Sequence, residues 1–401
     1  MRVGVDVGGT FTDLVAWDGA GRMSALKVPT TPDNPAGGVL HGLAAIGRVA
    51  GPCASLAHGT TLVTNAIVER RVGPVGLVTT RGFRDVLEIG RMNRPHLYRL
   101  DLPAKPEPLV PRRLRAEVGE RVGPDGTVLV PLDLGGLPGI IERFHREGVE
   151  SVAVCLLHAY ANPAHEQALR GALAPHFPYV SVSSEINAEF REYERTCTTV
   201  LNAAVMPLVK RYIDDLVARL AASTGAVPLH LLHSAGGMMS VDAARAHPLR
   251  MAMSGPAAGV AAAAYLGRAL GITRALAFDM GGTTTDVCLI ADGVPETARQ
   301  RTLGDYPVRL PAVAVESIGA GGGSIARVAE TGGLKVGPRS AGAVPGPACY
   351  GLGGAEPTVS DANLILGYLN PERIYGGSIR LDRARAEAAL EPLRRRFGLS
   401  L

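Results

Sequence analysis

Two short segments of the chain repeat the same pattern of aspartates, glycines and threonines. The first runs from Gly4 to Asp13 (GVDVGGTFTD) and the second from Ala277 to Asp286 (AFDMGGTTTD). Each has apolar residues before and after its glycines, which predicts a strand, a glycine-rich turn and a second strand. Two such β-hairpins in one chain predict two half-sites that face one ligand.

The residue types of the two segments suit a phosphate group together with a cation. The adjacent glycines, Gly8-Gly9 and Gly281-Gly282, let backbone N–H groups converge on an anion. Hydroxyl donors for phosphate oxygens come from Thr10, Thr12, Thr283 and Thr284. Asp6 and Asp279 would repel a phosphate unless a cation lay between them, and Mg²⁺ typically binds one or two carboxylates plus phosphates. A single copy fits a structural turn equally well, and the repetition favours a ligand site.

The two hairpins resemble the phosphate-binding loops of the actin/Hsp70/sugar-kinase ATPase superfamily. More narrowly, the chain resembles the hydantoinase A/5-oxoprolinase family, which includes N-methylhydantoinase and acetone carboxylase subunits. Besides the hairpins, the matching segments are HGTTLVTNAI (58–67), TTRGFRDVLEIGR (79–91), EFREYERTCTTVLNAAVMP (189–207), MSGPAAGV (253–260), ESIGAGGGSIA (316–326), GPACYGLGG (346–354) and PTVSDANLILGYL (357–369). They run in family order over almost the whole chain.

The resemblance implies an α/β protein with the two-lobed, ribonuclease-H-like fold of actin-like ATPases and duplicated phosphate-binding β-hairpins. Alternating strand and helix patterns also predict two α/β lobes. We place an N-terminal lobe with the first loop at 1–185 and a core lobe with the second loop at 186–401. Family members continue past this chain's end, with a glycine-rich segment that helps close the nucleotide site. We therefore expect the second lobe to be C-terminally incomplete.

The resemblance further implies ATP-driven ring opening of a cyclic amide such as a hydantoin, 5-oxoproline or a lactam. ATP and Mg²⁺ would be the cofactors, with Asp6 and Asp279 as catalytic and metal-binding residues. His58 is either a catalytic residue on the substrate or phosphate side or a structural histidine. The activated intermediate would pass to a hydantoinase B-type subunit, so we expect a hetero-oligomer. Ketone carboxylation of the acetone carboxylase type, phosphorylation of another acceptor and a non-catalytic nucleotide-binding scaffold remain alternatives.

Several further residues are candidates for the rim of the site. Asp13 and Asp286 would orient threonine hydroxyls or metal-bound waters. The glycines of a third loop, Gly319, Gly321, Gly322 and Gly323, are assigned to the nucleotide's rim, with a purely structural loop as the alternative. Ser254 and Gly255 open a predicted helix whose N-terminus suits an anion. The helical pattern of residues 192–222 is interrupted at Pro207.

Composition excludes several other classes of protein. The net charge is only +4 and the basic residues are scattered, so we expect no nucleic-acid partner. The five cysteines form no CxxC pair, which argues against a zinc site or a disulfide framework and fits a reducing cytoplasm. Apolar runs such as Ala257–Leu270 are too short to span a membrane, so we expect a cytoplasmic enzyme.

Overall fold

The computed structural model describes residues 1–8, 11–31, 34–94, 96–102, 105–342, 344–372 and 380–398. Gly9 and Thr10 of the first predicted phosphate loop lie outside these ranges. Within the described ranges the chain is a mixed α/β protein with several sheets.

The strands and helices alternate along most of the chain. The strands are β1 Arg2–Val7, β2 Phe11–Trp17, β3 Met23–Pro29, β4 Ser55–Thr60, β5 Val75–Thr80, β6 Arg115–Val122, β7 Val128–Asp133, β8 Ser151–Cys155, β9 Tyr179–Val182, β10 Leu229–Leu232, β11 Met238–Met239, β12 Ala275–Met280, β13 Thr285–Ala291, β14 Val294–Pro295, β15 Thr297–Ala298, β16 Arg301–Leu303, β17 Tyr306–Val308, β18 Ala312–Val313, β19 Glu316–Ile318, β20 Ser324–Val328 and β21 Leu334–Ser340. The α-helices are α1 Pro35–Ala50, α2 Leu62–Val68, α3 Val86–Ile89, α4 Leu137–Arg146, α5 Ala164–Leu173, α6 Ser183–Ile186, α7 Glu192–Thr224, α8 Val241–Ala246, α9 Ser254–Ala269, α10 Val359–Ile365 and α11 Arg383–Phe397. Short 3₁₀ turns are found at Arg112–Leu114, Pro248–Met251 and Ala348–Tyr350.

The first sheet has six strands in the order β11-β10-β4-β1-β2-β3. Strands β1 and β4 are parallel, as are β4 and β10, whereas β1, β2 and β3 form an antiparallel meander. One face is apolar, with Val3, Val5 and Val7 buried against α1 and α7. Because β10 comes from beyond residue 186, this sheet draws strands from both sides of the predicted lobe boundary, and the division at 185/186 stays a prediction.

A second sheet is inserted between β4 and β10, with the order β7-β6-β5-β8-β9. Strands β6, β5, β8 and β9 are parallel, and β5 and β8 are buried along their whole length. A strand covered on both faces typically has a continuous apolar run, as residues 75–78 of β5 do.

Helix α7 connects the cores of the two sheets. Its first half, including Cys197 and Val200, packs into the core of the inserted sheet. Its second half, including Val209 and Ile213, packs into the core of the first sheet. The predicted interruption at Pro207 was wrong, since one 33-residue helix runs through that residue. Proline removes one backbone hydrogen bond from a helix interior, and we attribute the continuity to burial of the helix in both cores.

The second hairpin lies in a smaller sheet, in which β12 pairs with β13 and β13 also pairs with β14 and β19. Helix α9 packs on one face, against Ala277 and Ile290. The other face leaves Leu276 and Phe278 each 60% exposed. The repeated hairpins therefore lie in sheets of different size. The first packs into a large apolar core, and the second is covered by a helix on one face and exposed on the other.

None of the described helices combines the length and the apolar character that a membrane span requires.

The inserted sheet provides a test of packing. A Cβ at Gly76 would lie 2.4 Å from Cε2 of the fully buried Phe144, so Gly76→Ala must displace that ring. We expect a loss of about 1–3 kcal/mol in the free energy of unfolding, measured by chemical denaturation. In the matched control, Gly171→Ala on α5, the new methyl group meets open space, and a gain of about 0.5–1 kcal/mol is expected. Equal denaturation midpoints for both variants would contradict the packing described here.

Candidate functional site

The two repeated segments fold into hairpins with the same register. In the first, Asp6 lies opposite Asp13 across β1 and β2. In the second, Asp279 lies opposite Asp286 across β12 and β13. The two predicted strands are therefore confirmed for both segments, while Gly9 and Thr10 of the first turn lie outside the described residues. Between β12 and β13, residues 281–284 form an exposed turn. A 2.9 Å hydrogen bond from the Gly281 N–H to the Thr284 carbonyl closes it.

Each hairpin extends into a third strand that gives its second aspartate a partner. Lys27 lies opposite Asp13 on β3, and its Nζ donates to the carboxylate at 2.7 Å. Ser317 lies opposite Asp286 on β19, and its hydroxyl donates to Oδ1 at 2.5 Å. Each sheet thus has an equivalent row of three side chains across neighbouring strands. The row in the first sheet ends in a positively charged lysine, and the row in the second sheet ends in a serine. Sequence reasoning missed both partners, although continuing the hairpin register by one strand would have found Lys27.

The Asp6 carboxylate lies beside two glycines, Gly59 and Gly255, where a larger residue would crowd its oxygens. A Cβ at Gly59, beside Asp6 on β4, would lie 3.0 Å from Oδ1. A Cβ at Gly255, in the first turn of α9, would lie 3.2 Å from both carboxylate oxygens. The carboxylate therefore lies between the end of β4 and the positive end of the α9 dipole.

Burial and the neighbouring negative charges make the ionised form of Asp6 unfavourable at this position. Burial raises the pKa of Asp6 above its ordinary value, and the neighbouring charges of Asp13 and Asp279 raise it further, while Lys27 lowers it. Asp279 is thus near enough to influence the charge of Asp6, and the binding of one ligand by both hairpins stays a prediction. Oδ1 of Asp6 is buried and has no hydrogen-bond partner among the described residues.

An orphaned carboxylate oxygen close to like charges fits a cation site. No cluster of three or more histidine, cysteine or acidic side chains with metal-binding spacing occurs in the described part of the chain. Mg²⁺ needs no such cluster, since it typically takes one or two carboxylates and completes its shell with phosphates and water. The residues present fit this ion, with Asp6 and the exposed Asp279 as its carboxylates.

The threonine that directly precedes the second aspartate of each hairpin forms hydrogen bonds inside the protein. Thr12 is fully buried and its hydroxyl lies 3.1 Å from that of Thr30, which donates to the Gly8 carbonyl. Thr285, its equivalent, donates to the Ala320 carbonyl at 2.5 Å. The predicted role of Thr12 as a phosphate donor therefore has no geometric support, because its hydroxyl is used inside the protein.

By contrast, Thr283 and Thr284 lie exposed in the second turn, together with Gly281 and Gly282. The two hydroxyls and the N–H groups of residues 282–284 are the ones that a phosphate could approach, since the Gly281 N–H is already bonded to the Thr284 carbonyl. The structure therefore favours Gly282, Thr283 and Thr284 among the predicted positions.

The third glycine loop braces the second hairpin turn. The N–H groups of Gly322 and Gly323 donate to the carbonyls of Gly281 and Gly282 at 2.8 and 2.6 Å. The Gly321 N–H donates to the Ser324 hydroxyl at 2.8 Å. These amides are consequently not available to a nucleotide, which favours the structural alternative for this loop.

The close approach explains why the loop needs glycines. A Cβ at Gly321 would lie 2.7 Å from the backbone N and C of Thr283. Gly319 alone of the predicted rim positions faces open space, so contact with a nucleotide stays a prediction for that residue.

His58 lies on the core side of the first sheet. It pairs with Val5 on β1, whereas Asp6 pairs with Gly59, so the His58 and Asp6 side chains point to opposite faces. The ring is fully buried, and its Nε2 lies 2.7 Å from the Tyr212 hydroxyl. Burial lowers the pKa of His58 to about 4. The structure thus favours the structural alternative, and a catalytic role stays a prediction without geometric support.

Ser254 joins the first sheet to the helix that carries the second hairpin. The Thr60 N–H donates to the Ser254 hydroxyl, and that hydroxyl donates to the Thr60 carbonyl, each at 3.1 Å. Because Ser254 is fully buried, it positions the first turn of α9 beside Asp6 and does not itself face a ligand.

Family models match most of the chain. Residues 195–401 match the hydantoinase/oxoprolinase model, and residues 2–176 match that of the hydantoinase/oxoprolinase N-terminal region. The chain belongs to the hydantoinase/oxoprolinase family, as its motifs predict.

The relatives include enzymes and enzyme subunits with different substrates. The chain is 38% identical to the caprolactamase subunit alpha of Pseudomonas jessenii, covering 98% of this chain and 58% of that subunit. It is 32% identical to 5-oxoprolinase 1 of Arabidopsis thaliana, covering 98% of this chain and 34% of that enzyme.

Two solved structures share the fold over the whole chain. A crystal structure of the ATP-dependent caprolactamase from Pseudomonas jessenii superposes with a TM-score of 0.86 at 38% identity, covering 60% of that chain. Nucleotide-free acetone carboxylase superposes with a TM-score of 0.77 at 30% identity, covering 59% of that chain. The chain thus spans about six-tenths of the length of these structures.

The buried ring of His58 predicts a pH dependence of stability. The folded protein keeps the ring neutral, while the unfolded chain takes up a proton below about pH 6.5. Stability should therefore fall as the pH drops from about 6.5 to 4, by up to about 1.4 kcal/mol per pH unit from this group. Urea titrations at several pH values measure this slope.

Two variants isolate the contribution of His58 to that slope. His58→Gln should flatten it, whereas Tyr212→Phe removes the hydroxyl partner and should leave it unchanged, because no group that titrates in this range is lost. The same slope in wild type and His58→Gln would contradict a buried neutral ring.

Proposed function

We propose that this chain is an ATP-dependent enzyme subunit that activates a cyclic amide, such as a hydantoin, 5-oxoproline or a lactam, by phosphorylating its carbonyl oxygen. The observation that carries the proposal is the repeated hairpin register, with Asp279 near enough to influence the charge of Asp6, whose buried Oδ1 has no hydrogen-bond partner among the described residues. The fold is then a two-lobed, actin-like ATPase arrangement. The order β3-β2-β1-β4-β10 of the first sheet supports a ribonuclease-H-like lobe.

The chain's own residues provide positioning and electrostatics. Asp6 and Asp279 would hold Mg²⁺, which when bound neutralises charge on the phosphates. The exposed donors of residues 282–284 would bind phosphate oxygens. The hydrogen bonds from Gly322 and Gly323 keep this turn in a fixed shape, so little reorganisation accompanies binding.

Phosphorylation solves the chemical problem that a cyclic amide presents. An amide carbonyl is a poor electrophile, and its oxygen is a poor leaving group. Transfer of the γ-phosphoryl group breaks the bond between the γ-phosphorus and the β,γ-bridging oxygen and forms one to the amide oxygen, releasing ADP. Water can then add to the activated carbon, and the ring C–N bond breaks to leave an acyl phosphate and a free amine. A second water attacks the acyl carbon, and the C–O bond to phosphate breaks. The products are the ring-opened amino acid and inorganic phosphate.

The hydrolytic half of the reaction would take place on a hydantoinase B-type subunit, which makes the enzyme a hetero-oligomer. Support comes from relatives that are described as subunits, including those of caprolactamase and acetone carboxylase. Ketone carboxylation is the second candidate because the acetone carboxylase structure also covers the whole chain. The higher identity and TM-score of caprolactamase favour the cyclic amide.

An isotope experiment tests the proposal. The chain, assembled with its B-type partner, is given ATP and a cyclic amide that carries ¹⁸O in its carbonyl group. We expect ¹⁸O to appear in inorganic phosphate, since the carbonyl oxygen leaves with the phosphoryl group. Asp279→Asn should lower kcat by about 10²–10³-fold, the usual effect of losing one electrostatic contact to the reacting group.

The control is Asp292→Asn, at the far end of the same hairpin, where asparagine tolerates the positive φ of 52°. It should retain activity. Ring opening with unlabelled phosphate would contradict phosphorylation of the amide oxygen. A phosphorylated product without ring opening would favour the kinase alternative.

A further inference from the structure

The second sheet exposes the positions that form the core of the first sheet. The repeat aligns Asp6 with Asp279, so each residue of β1 has an equivalent on β12. The inward-facing residues of β1 are Val3, Val5 and Val7, which are 2%, 3% and 4% exposed. Their equivalents on β12 are Leu276, Phe278 and Met280, which are 60%, 60% and 41% exposed. The second copy therefore keeps the apolar pattern, but the described part of the chain does not cover it.

The exposed face extends across the neighbouring strands. Leu289 on β13 lies opposite Leu276 and is 45% exposed, although its equivalent in the first hairpin, Ala16, is fully buried. Ile318 on β19 lies in the same row as Met280 and is 54% exposed. Helix α9 packs against the other face of this sheet, so it leaves these side chains uncovered. Contiguous apolar surface of this kind typically marks a site of protein–protein contact.

One edge of β12 is also open. In the first sheet, β1 pairs with β2 on one side and with the parallel strand β4 on the other. Over the residues that the structure describes, β12 pairs with β13 alone. Its second edge consequently has backbone N–H and C=O groups that no described strand uses, and an exposed apolar edge readily pairs with another strand. The place that β4 occupies beside β1 is thus open beside β12.

The first sheet indicates what kind of strand fits this place. Strand β4 runs parallel to β1 and has Gly59 beside Asp6, where a Cβ would lie 3.0 Å from the Oδ1 atom of Asp6. Asp279 has the equivalent position on β12. A strand in the same geometry would therefore run parallel to β12, with glycine or another small residue beside Asp279. The exposed face also needs an apolar cover, which the core around α1 and α7 provides for β1.

The relatives contain polypeptide that this chain does not match. The caprolactamase structure superposes over the whole of this chain, yet the match accounts for only 60% of the caprolactamase chain. In sequence, the match accounts for 58% of the caprolactamase subunit alpha. The unmatched remainder of that subunit is long enough to supply a strand together with helices that cover a sheet.

We propose that β12 and its exposed apolar face form the docking surface for a partner polypeptide of the kind that makes up this unmatched remainder. The partner would add a strand parallel to β12, with a small residue beside Asp279, and would cover the face with apolar side chains. Backbone hydrogen bonds along the edge and burial of the apolar face both contribute to such an interface. This inference does not rest on the proposed function, because it follows from the comparison of the two sheets.

Co-expression tests the inference. The tagged chain is produced together with the unmatched part of the Pseudomonas jessenii caprolactamase subunit alpha as a separate polypeptide, and the complex is purified through the tag. We expect an equimolar complex. Hydrogen exchange then tests the added strand, since the backbone amides of residues 275–280 should exchange at least about tenfold more slowly in the complex than in the chain alone.

Two variants show whether the complex uses this face. Phe278→Asp should lower the yield of complex at least about tenfold, because the new carboxylate would be buried at the interface without a partner. The matched control is Tyr265→Asp on α9, the helix that packs on the opposite face, and it should leave the yield unchanged. The two aromatic side chains are equally exposed, at 60% and 59%, so both variants should keep the thermal melting curve of the wild type.

Each outcome has a distinct meaning. No complex, or a complex that Phe278→Asp leaves unchanged, would overturn the docking surface. A complex in which the amides of residues 275–280 gain no protection would overturn the added strand. Self-association of the chain alone that Phe278→Asp abolishes would assign the face to a second copy and overturn the partner. All of these results are compatible with ATP-dependent ring opening, so the proposed function is tested separately.

Discussion

The buried carboxylate of Asp6 is the constraint on which the arrangement of this site depends. Its Oδ1 is buried without a hydrogen-bond partner among the described residues, which is costly, and two neighbouring carboxylates add to that cost. The fold nevertheless holds Asp6 there by several independent means. Strand β4 runs alongside it, Ser254 ties β4 to α9, and Gly59 and Gly255 leave space for its oxygens. A bound cation would turn this unfavourable arrangement into a favourable one.

The two hairpins share a register but differ in how the fold supports them. The first is backed by the deep core around α1 and α7, and Lys27 neutralises its second aspartate. The second is carried by α9 and braced by the third glycine loop, and a serine replaces the lysine. A cation shared between Asp6 and Asp279 would therefore join a rigidly embedded half-site to one that rests on a single helix. Helix α9 is the mechanical link between them, because its first turn contacts Asp6.

Much of this site could be predicted from local sequence, because a hairpin is a local structure. The repeated segments around Asp6 and Asp279 predict both hairpins. The alternation of side chains along a strand also predicts the direction in which Thr12 points, although the sequence analysis did not apply it. Thr12 lies opposite Val7, a core residue, so its side chain had to point inward. The position of His58 could not be obtained in this way. Its orientation depends on the register of β4 against β1, and the intervening segment of about fifty residues does not encode that register locally.

Longer-range features were also beyond the reach of sequence patterns. Strand β10 joins β4 from across an inserted sheet, and α7 continues through Pro207 because two separate cores bury it. The use of Gly322 and Gly323 as bracing groups likewise depends on a contact with a turn some forty residues away. A glycine-rich loop looks the same in sequence whether its amides bind a ligand or another loop.

The most direct measurement is a crystal structure of the chain with Mn²⁺ in place of Mg²⁺ and a non-hydrolysable ATP analogue, with anomalous data to locate the metal. We predict one Mn²⁺ between the hairpins, bound directly or through water to Asp6 and Asp279, with the phosphates against residues 281–284. Mn²⁺ and phosphates that leave both aspartates without a metal would contradict it.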